Sequence, residues 1–376
     1  MKLRALAALI AVFAMVVAAC SPQTDPTTTT VGPDPTTTAP PTPTSTTEPD
    51  PMADWPDKLV FGFVPSQEVS ELQDDVDTLA SILSDALGIE VEGIVTTDYT
   101  GLGVALGTGE ADLGAFGPAG YVLAQRQYGN LELLAQSVRF GDATYHGIYF
   151  TNDPALCGDA GVEEGAFYYD DAGNIVPVAA DDTPAIQVGY TTNDAGEMVR
   201  DEDFSAPLRC AERVPFTEAI IGKTMAFGSE TSTSGYIFPN VALIEAGVTT
   251  DQYTTLIAGG HDAAVQAVYD GQADIGVAFD DARRSIRETA ADVGEKVIVF
   301  DISPRIANDV IAVRADLPDS LKDAIFQALA DFIATPEGQV VMDQLYSWTD
   351  LIRADAATVQ SLEPIATAID ELGFSD

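Results

Sequence analysis

The chain has 376 residues, 46% of them hydrophobic, and a formal net charge of -42 from 59 acidic and 17 basic side chains. That length and apolar content allow one large domain or two ordinary ones with cores of their own. The charge balance excludes a nucleic-acid partner, because a phosphate backbone demands clustered Lys and Arg; the acidity reads as a solvated surface.

The opening MKLRALAALIAVFAMVVAAC carries Lys2 and Arg4, then an apolar stretch too short for a comfortable membrane span, then small residues before Cys20. It reads as an export signal over residues 1–20. Its ending VAAC resembles a bacterial lipobox, which would make Cys20 the lipidated first residue of the mature chain; an ordinary signal cut elsewhere would export the protein all the same. Residues 21–56 are Thr- and Pro-rich, hold almost nothing that could pack, and read as a disordered tether, open to glycosylation, between membrane and globular body. With Cys20 taken by lipid, Cys157 and Cys210 remain, and in an oxidising compartment the pair most simply forms one disulfide. Closing so long a loop is worth about 4 kcal/mol in the chain-entropy model. The cysteines and the two histidines, His146 and His261, lack metal-ligand spacing, so neither a metal nor a cofactor is expected.

The body opens with KLVFGFVPS, strand-like from Lys58, then a helix with Leu72, Val76, Leu79, Leu83 and Leu87 on one face, stopped by Gly88. IEVEGIV is strand-like, YTGLGVALGTGE helical, and ADLGAF a strand opening onto a polar loop, GPAGY. Such alternation predicts an α/β fold with mostly parallel sheets and helices on their faces. VALGTGEADLGAF (Val104 to Phe116) is echoed by AVYDGQADIGVAF (Ala267 to Phe279), each reading helix, Gly turn, Ala-Asp, strand, with GPAGY after one and DDARR after the other. Two similar lobes follow, and ligands of open α/β sheets gather beyond the carboxyl ends of the strands, so both loops would face one cleft. Tyr145 to Thr151 reads as a crossing strand. The stretch 152–215, rich in Asp, Gly and Asn, reads as a hairpin-bearing insert stapled by the disulfide. A return crossing falls at KVIVFDISP, and two or three helices from Asp319 would rejoin the first lobe.

KTMAFGSETSTSGYIFPNVALIEAG reads as strand, turn and helix, with Ile237, Val241 and Ile244 on one helical face and Gly247 past its end. Ser232, Thr233, Ser234 and Gly235 therefore sit at a helix amino terminus, where unpaired N–H groups and the dipole favour an anion. A plain helix cap explains these residues as readily. A hydrolase nucleophile fits poorly: the G-x-S-x-G elbow is absent and no spacing nominates His146 or His261 as base.

Taken in order, FGFVPS, TTDYTGLGVAL, ADLGAFGPAGY, STSGYIFP, AGGHDAAVQAV and ANDVIAVRADLP resemble the substrate-binding proteins of bacterial phosphonate and phosphite ABC importers, over roughly residues 58–152 and 216–335. The resemblance implies a two-lobed type II periplasmic-binding-protein fold, each lobe a mostly parallel sheet flanked by helices, joined by two crossing hinge strands. Lobe 1 would comprise 57–147 and 304–376, and lobe 2 148–303 with the 152–215 insert. It implies a non-enzymatic, monomeric, extracytoplasmic lipoprotein that captures phosphonate, phosphite or phosphate between its lobes and delivers it to an ABC permease and ATPase. Carried over by position, Ser232, Thr233 and Ser234 are the oxyanion cradle, Tyr99 and Tyr145 reach the same oxygens from the other lobe, and His261 completes the set. Asp281 and Asp309 face the rest of the ligand, meeting an ammonium or a protonated phosphorus oxygen. Plainer readings stand beside these: Tyr99 as a surface aromatic, His261 as a helix cap, Asp281 or Asp309 as a cap or solvated acid, and Asp98 as structural. His146 reads as a hinge residue or an exposed loop histidine. The long insert, and Ser229 and Glu230 where the family often has an aspartate and a small residue, depart from the pattern. Other function classes are a secreted serine esterase or phosphatase using Ser232 or Ser234 with His261, and an oxyanion-sensing lipoprotein without transport.

Overall fold

The structure, a computed structural model, describes residues 52–139, 141–164, 167–169, 175–177, 190–192, 198–200 and 207–374, all within the unit Asp50–Asp376. The signal segment, Cys20 and the tether up to residue 51 lie outside the described residues. In chain order the strands are β1 (Lys58–Phe63), β2 (Glu90–Val95), β3 (Leu113–Phe116), β4 (Leu131–Val138), β5 (Thr144–Thr151), β6 (Val162–Glu164), β7 (Phe167–Tyr169), β8 (Ile175–Pro177), β9 (Tyr190–Thr192), β10 (Met198–Arg200), β11 (Leu208–Cys210), β12 (Thr224–Gly228), β13 (Thr254–Gly259), β14 (Ile275–Phe279), β15 (Ile298–Ala307), β16 (Val310–Arg314) and β17 (Asp350–Arg353).

Two large sheets result, ordered β17-β4-β16-β3-β1-β2 and β13-β12-β14-β5-β15-β11-β6. This is the expected two-sheet α/β architecture, but the sheets are mixed rather than mostly parallel. β1 runs parallel to β2 and β3, and β12 to β13 and β14, whereas β16 is antiparallel to β3 and β4, and β5 to β14 and β15. The antiparallel members are the strands that bring the chain from one sheet to the other. The chain passes between the sheets after β4 and again between β15 and β16. There the Asn308 amide donates to Ala143 O (2.9 Å), its side chain donates to Ser137 O (3.1 Å) and Asp142 O (2.8 Å), and the Ser137 amide donates to Asp309 O (2.9 Å).

Burial follows the sequence periods. On the helix Val69–Leu87, Leu72, Val76, Leu79, Leu83 and Leu87 form the buried stripe, and Gly88, at φ 71, stops it by donating to Ser84 O. Burying each such leucine contributes about 1.5–3 kcal/mol. The second sheet is covered on both faces at its centre, so β12 and β14 are almost wholly apolar. Ile148, Phe150 and Ala226 pack on one side, Tyr149, Met225, Phe227, Ile275 and Val277 on the other.

The echoed segments fold as one repeated unit. The helices Tyr99–Thr108 and His261–Tyr269 both end in a glycine-bearing turn, with Gly109 at φ 81 and Gly271 at φ 73. The next alanines are buried and donate to matching helix carbonyls, Ala111 to Ala105 O (2.9 Å) and Ala273 to Ala267 O (3.0 Å). The aspartates then tie down the neighbouring strand: Asp112 Oδ2 accepts the Val60 amide at 2.8 Å, Asp274 Oδ2 that of Thr224 at 2.7 Å. Gly114 and Gly276 let helix pack on strand, since a Cβ there would lie 3.0 Å from Leu102 and 3.0 Å from Val268 respectively.

GPAGY, expected as a loop, starts the helix Pro118–Tyr128; proline at the first turn is the only strong signal of it in the sequence. The tail holds four helices rather than two or three: Asp319–Ile333, Pro336–Tyr346, Ala356–Ser361 and Glu363–Glu371, around β17. Local caps cut it up, Thr335 accepting from the Gly338 amide and Asp355 forming a capping box with Thr358. Cys157 and Cys210 form a disulfide with Cα atoms 4.8 Å apart, closing the insert, in which β7 pairs with β8 and β9 with β10, both antiparallel. Among the described residues, no helix is long and apolar enough to cross a membrane.

Candidate functional site

β12 ends in a turn that delivers Ser232 to a helix start. Its Oγ accepts from the Gly235 amide (3.2 Å), and its carbonyl accepts from both Tyr236 (3.1 Å) and Ile237 (3.0 Å), opening a π-type turn over Thr233–Ile237 before the α-helix Phe238–Glu245. The wider turn shifts the helical register, so Leu243 is buried where Ile244 was expected, and Ile244 is exposed. The same turn points Ser232, Thr233 and Ser234 inward; each is only 2% exposed.

These hydroxyls border a partly open cavity of about 40 Å³ between the two sheets. Tyr99, Tyr145, Ser232, Thr233, Ser234, His261 and Asp309 all line it, drawn from segments far apart in the chain. Tyr99 sits at the first turn of a helix capped by Asp98, whose Oδ1 accepts the Gly101 amide at 2.8 Å, so Asp98 is structural. His261 starts its helix, donates its backbone N–H to Ser66 O across the lobes (3.1 Å), and sets its ring on Phe279 with centroids 4.9 Å apart. Thr233 Oγ1 accepts the Ala119 amide from the opposite helix start at 2.9 Å. At the cavity's flank, Arg284 reaches across to Asp343 (3.3 Å) and to Ser347. His146 is buried on β5, with Nδ1 2.7 Å from Ser303 O; it is not an exposed loop residue.

Asp281 does not join the cavity. It caps the turn Ala282–Ile286 by accepting from the Arg283 amide (3.1 Å), and its carboxylate lies in the Arg283 fork at 3.0, 3.2 and 2.6 Å. Both side chains are 0% exposed, and a carboxylate so deeply buried requires a fixed counter-charge. The remaining Arg283 donors reach Leu208 O (2.8 Å) and Val297 O (2.7 Å). The cap reading holds for Asp281, and the ligand-facing one is corrected.

Arg139, at the end of β4, is the residue that sequence reasoning missed. Its Nη2 donates to Asp309 Oδ2 at 2.5 Å, and Trp348 Nε1 donates to the same oxygen at 3.2 Å. The guanidinium stands 5.0 Å from the Tyr145 ring centroid and 5.6 Å from that of Phe279. Its Nε and Nη1 are buried without a hydrogen-bond partner, as are Ser66 Oγ and His261 Nδ1, and all three residues line the cavity. Each such orphan costs about 1–3 kcal/mol unless something enters to satisfy it. A lone arginine closing the strand LELLAQSVR, in a chain with only 17 basic residues, was the available signal. Ser66 and Tyr346 also line the cavity, the latter donating to Val64 O at 2.7 Å.

Burial sets the protonation states. It pushes the Tyr99 and Tyr145 hydroxyls upward, with Asp309 adding to the effect, so both remain neutral donors. Burial, helped by Arg139, pushes His261 down to about 3, so its ring is neutral. Asp280, beside Phe279, is raised well above its ordinary value by burial, which the Arg139 charge only partly offsets. Ser232 Oγ lies 3.3 Å from His261 Nε2, but the hydroxyl is engaged as a helix cap and Nδ1 has no orienting carboxylate, so no activated nucleophile is built. Among the described residues, no group of His, Cys, Asp and Glu could hold a metal ion. The donor set, hydroxyls plus one guanidinium at a helix start, suits an oxyanion.

The family model for the periplasmic phosphonate substrate-binding proteins of ABC transporters matches residues 61–359. The phosphate-import protein PhnD of Mycolicibacterium smegmatis is 24% identical over 291 residues, 74% of this chain and 67% of that protein. Among solved structures, PhnD1 of Prochlorococcus marinus in complex with methylphosphonate superposes with a TM-score of 0.61 at 19% identity, covering 86% of this chain and 99% of that one. A binding-protein component of a Pseudomonas aeruginosa ABC phosphonate transporter gives a TM-score of 0.60 at 18% identity, covering 83% and 85%. Both share the fold.

Proposed function

The chain belongs to the periplasmic phosphonate substrate-binding family of ABC transporters, a family of transport proteins and not of enzymes, and from that premise we propose that its interlobe cavity captures a small phosphorus oxyanion for import. The observation that carries this reading is the convergence of unsatisfied buried polar groups, the donors Arg139 Nε and Nη1 and Ser66 Oγ with the ring nitrogen His261 Nδ1, on one cavity walled by Ser232, Thr233 and Ser234. A tetrahedral oxyanion supplies acceptors in several directions at once, which is what such a set lacks. In this reading Tyr99, Tyr145 and the Ser-Thr-Ser turn donate from opposite lobes, so affinity depends on both closing on the same ligand. Asp309 acts through Arg139.

Export, lipid attachment at Cys20 and a Thr/Pro-rich tether would keep the protein at the outer face of the cell membrane, beside the permease and ATPase that receive the ligand. The names of the relatives, phosphate import in one and methylphosphonate binding in another, point to the same class of anion. Isothermal titration with phosphate, phosphite and methylphosphonate tests the reading. We expect at least one to bind in the micromolar range or tighter, and Ser234→Ala to weaken it about 10- to 100-fold through loss of a charge-assisted hydrogen bond. Binding no tighter than millimolar for all three sinks it.

A further inference from the structure

Among the described residues, the one carboxylate that lines the cavity, Asp309, and the other acid expected to face the ligand, Asp281, are both already engaged. Asp281 is locked in the Arg283 fork, with both side chains 0% exposed. Asp309, the acid that lines the cavity, holds Arg139 at 2.5 Å and receives Trp348 Nε1 at 3.2 Å. Asp280 does not line the cavity, and burial raises its carboxyl well above its ordinary value. An ammonium brought to Asp309 would stand beside a guanidinium whose side chain is 10% exposed, where like charges are poorly screened.

Space gives the same answer independently. A single water needs roughly 10–15 Å³ of such volume, so room for about three water-sized groups suits a tetrahedral oxyanion without an extended tail. Val64, Phe116 and Leu345 close the cavity with apolar surface and offer a tail no hydrogen-bond partner from their side chains.

Resting on the oxyanion reading above, we propose that Arg139 is the charge-bearing ligand group of this cavity, with Asp309 as its counter-ion, and that the site selects compact phosphorus oxyanions over aminoalkylphosphonates. Arg139 contributes through the two edges it leaves open, Nε and Nη1, while its third nitrogen fixes the plane of the fork against Asp309. The ring faces of Tyr145 and Phe279 hold that plane.

Calorimetric titration of the purified protein with phosphate, phosphite, methylphosphonate and aminoethylphosphonate decides it. The expected result is that the tightest of the first three binds at least tenfold better than aminoethylphosphonate. Arg139→Gln should weaken that tightest ligand about 10- to 100-fold, whereas Asp309→Asn, which frees the guanidinium charge, should weaken it less than threefold. Aminoethylphosphonate binding as tightly as the best compact anion overturns the inference and leaves the oxyanion reading standing. Should Arg139→Gln fail to fold, the wild-type ligand ranking still decides. If none of the four binds below millimolar, the oxyanion reading itself falls and takes this one with it.

Discussion

The two copies of the helix–glycine–Ala-Asp–strand unit share the same turn and aspartate hydrogen bonds until their strands end, and then part. After Phe116 the first copy runs through Gly117, which lines the cavity, into the helix start at Pro118, whose Ala119 amide meets Thr233. After Phe279 the second turns its acid inward, where Arg283 holds Asp281 out of reach of any ligand. The unit is scaffold, serving packing and strand alignment alike in both lobes. Both units also bring their helix starts, Tyr99 and His261, to the cavity; the lobes differ in the few residues past each strand.

The largest way to break this contrast is to remove Arg283. Arg283→Met leaves Asp281 buried without a counter-charge and should cost about 3–5 kcal/mol, read as a lower midpoint in urea; Asp281→Asn in the same background should restore part of it. A smaller effect tests what the copies share. Asp112→Ala and Asp274→Ala each strip a carboxylate from a strand amide, and each should cost about 1.5–3 kcal/mol. Losses differing by more than about 1 kcal/mol would mean that the two units are not energetically equivalent.

A third effect separates the lobes by pH. His261, held at about 3 when folded, gives its full contribution above its ordinary value of 6.5 and loses it as pH falls toward 3. Asp75, in the first lobe, runs the other way: burial raises it to about 6, so its contribution is present below 3.8 and lost as pH rises through 6. Melting temperatures between pH 4 and 8 should show wild type losing ground to His261→Gln on acidification and to Asp75→Asn on alkalinisation.

What was legible in the sequence follows from how local each signal is. The Ser-Thr-Ser turn could be found because helix starts announce themselves through capping chemistry, and Leu72 to Leu87 because a buried face repeats every turn. The echo was readable because Ala111 and Asp112 do the same work as Ala273 and Asp274, within a single unit. Arg139 was not, because its meaning depends on Asp309, 170 residues away, and on burial that no neighbour in sequence predicts. Asp281 was misread for a related reason: cap and ligand contact need the same residue type, and only the Arg283 side chain curling back from two residues on tells them apart. The helix Pro118–Tyr128 escaped because glycine and alanine dominate its first turn, leaving no apolar stripe to count.

The contacts that join the walls of the cavity, Ala119 to Thr233, His261 to Ser66 and Arg284 to Asp343 and Ser347, are all made between protein groups. Under the capture reading proposed above, they would give the shut form stabilisation of its own, in which a ligand need only shift an existing balance. Apparent affinity then scales with the fraction of molecules already shut. A chain of this kind can be retuned to a scarcer or richer supply by single changes along that seam, leaving its chemistry toward the anion untouched.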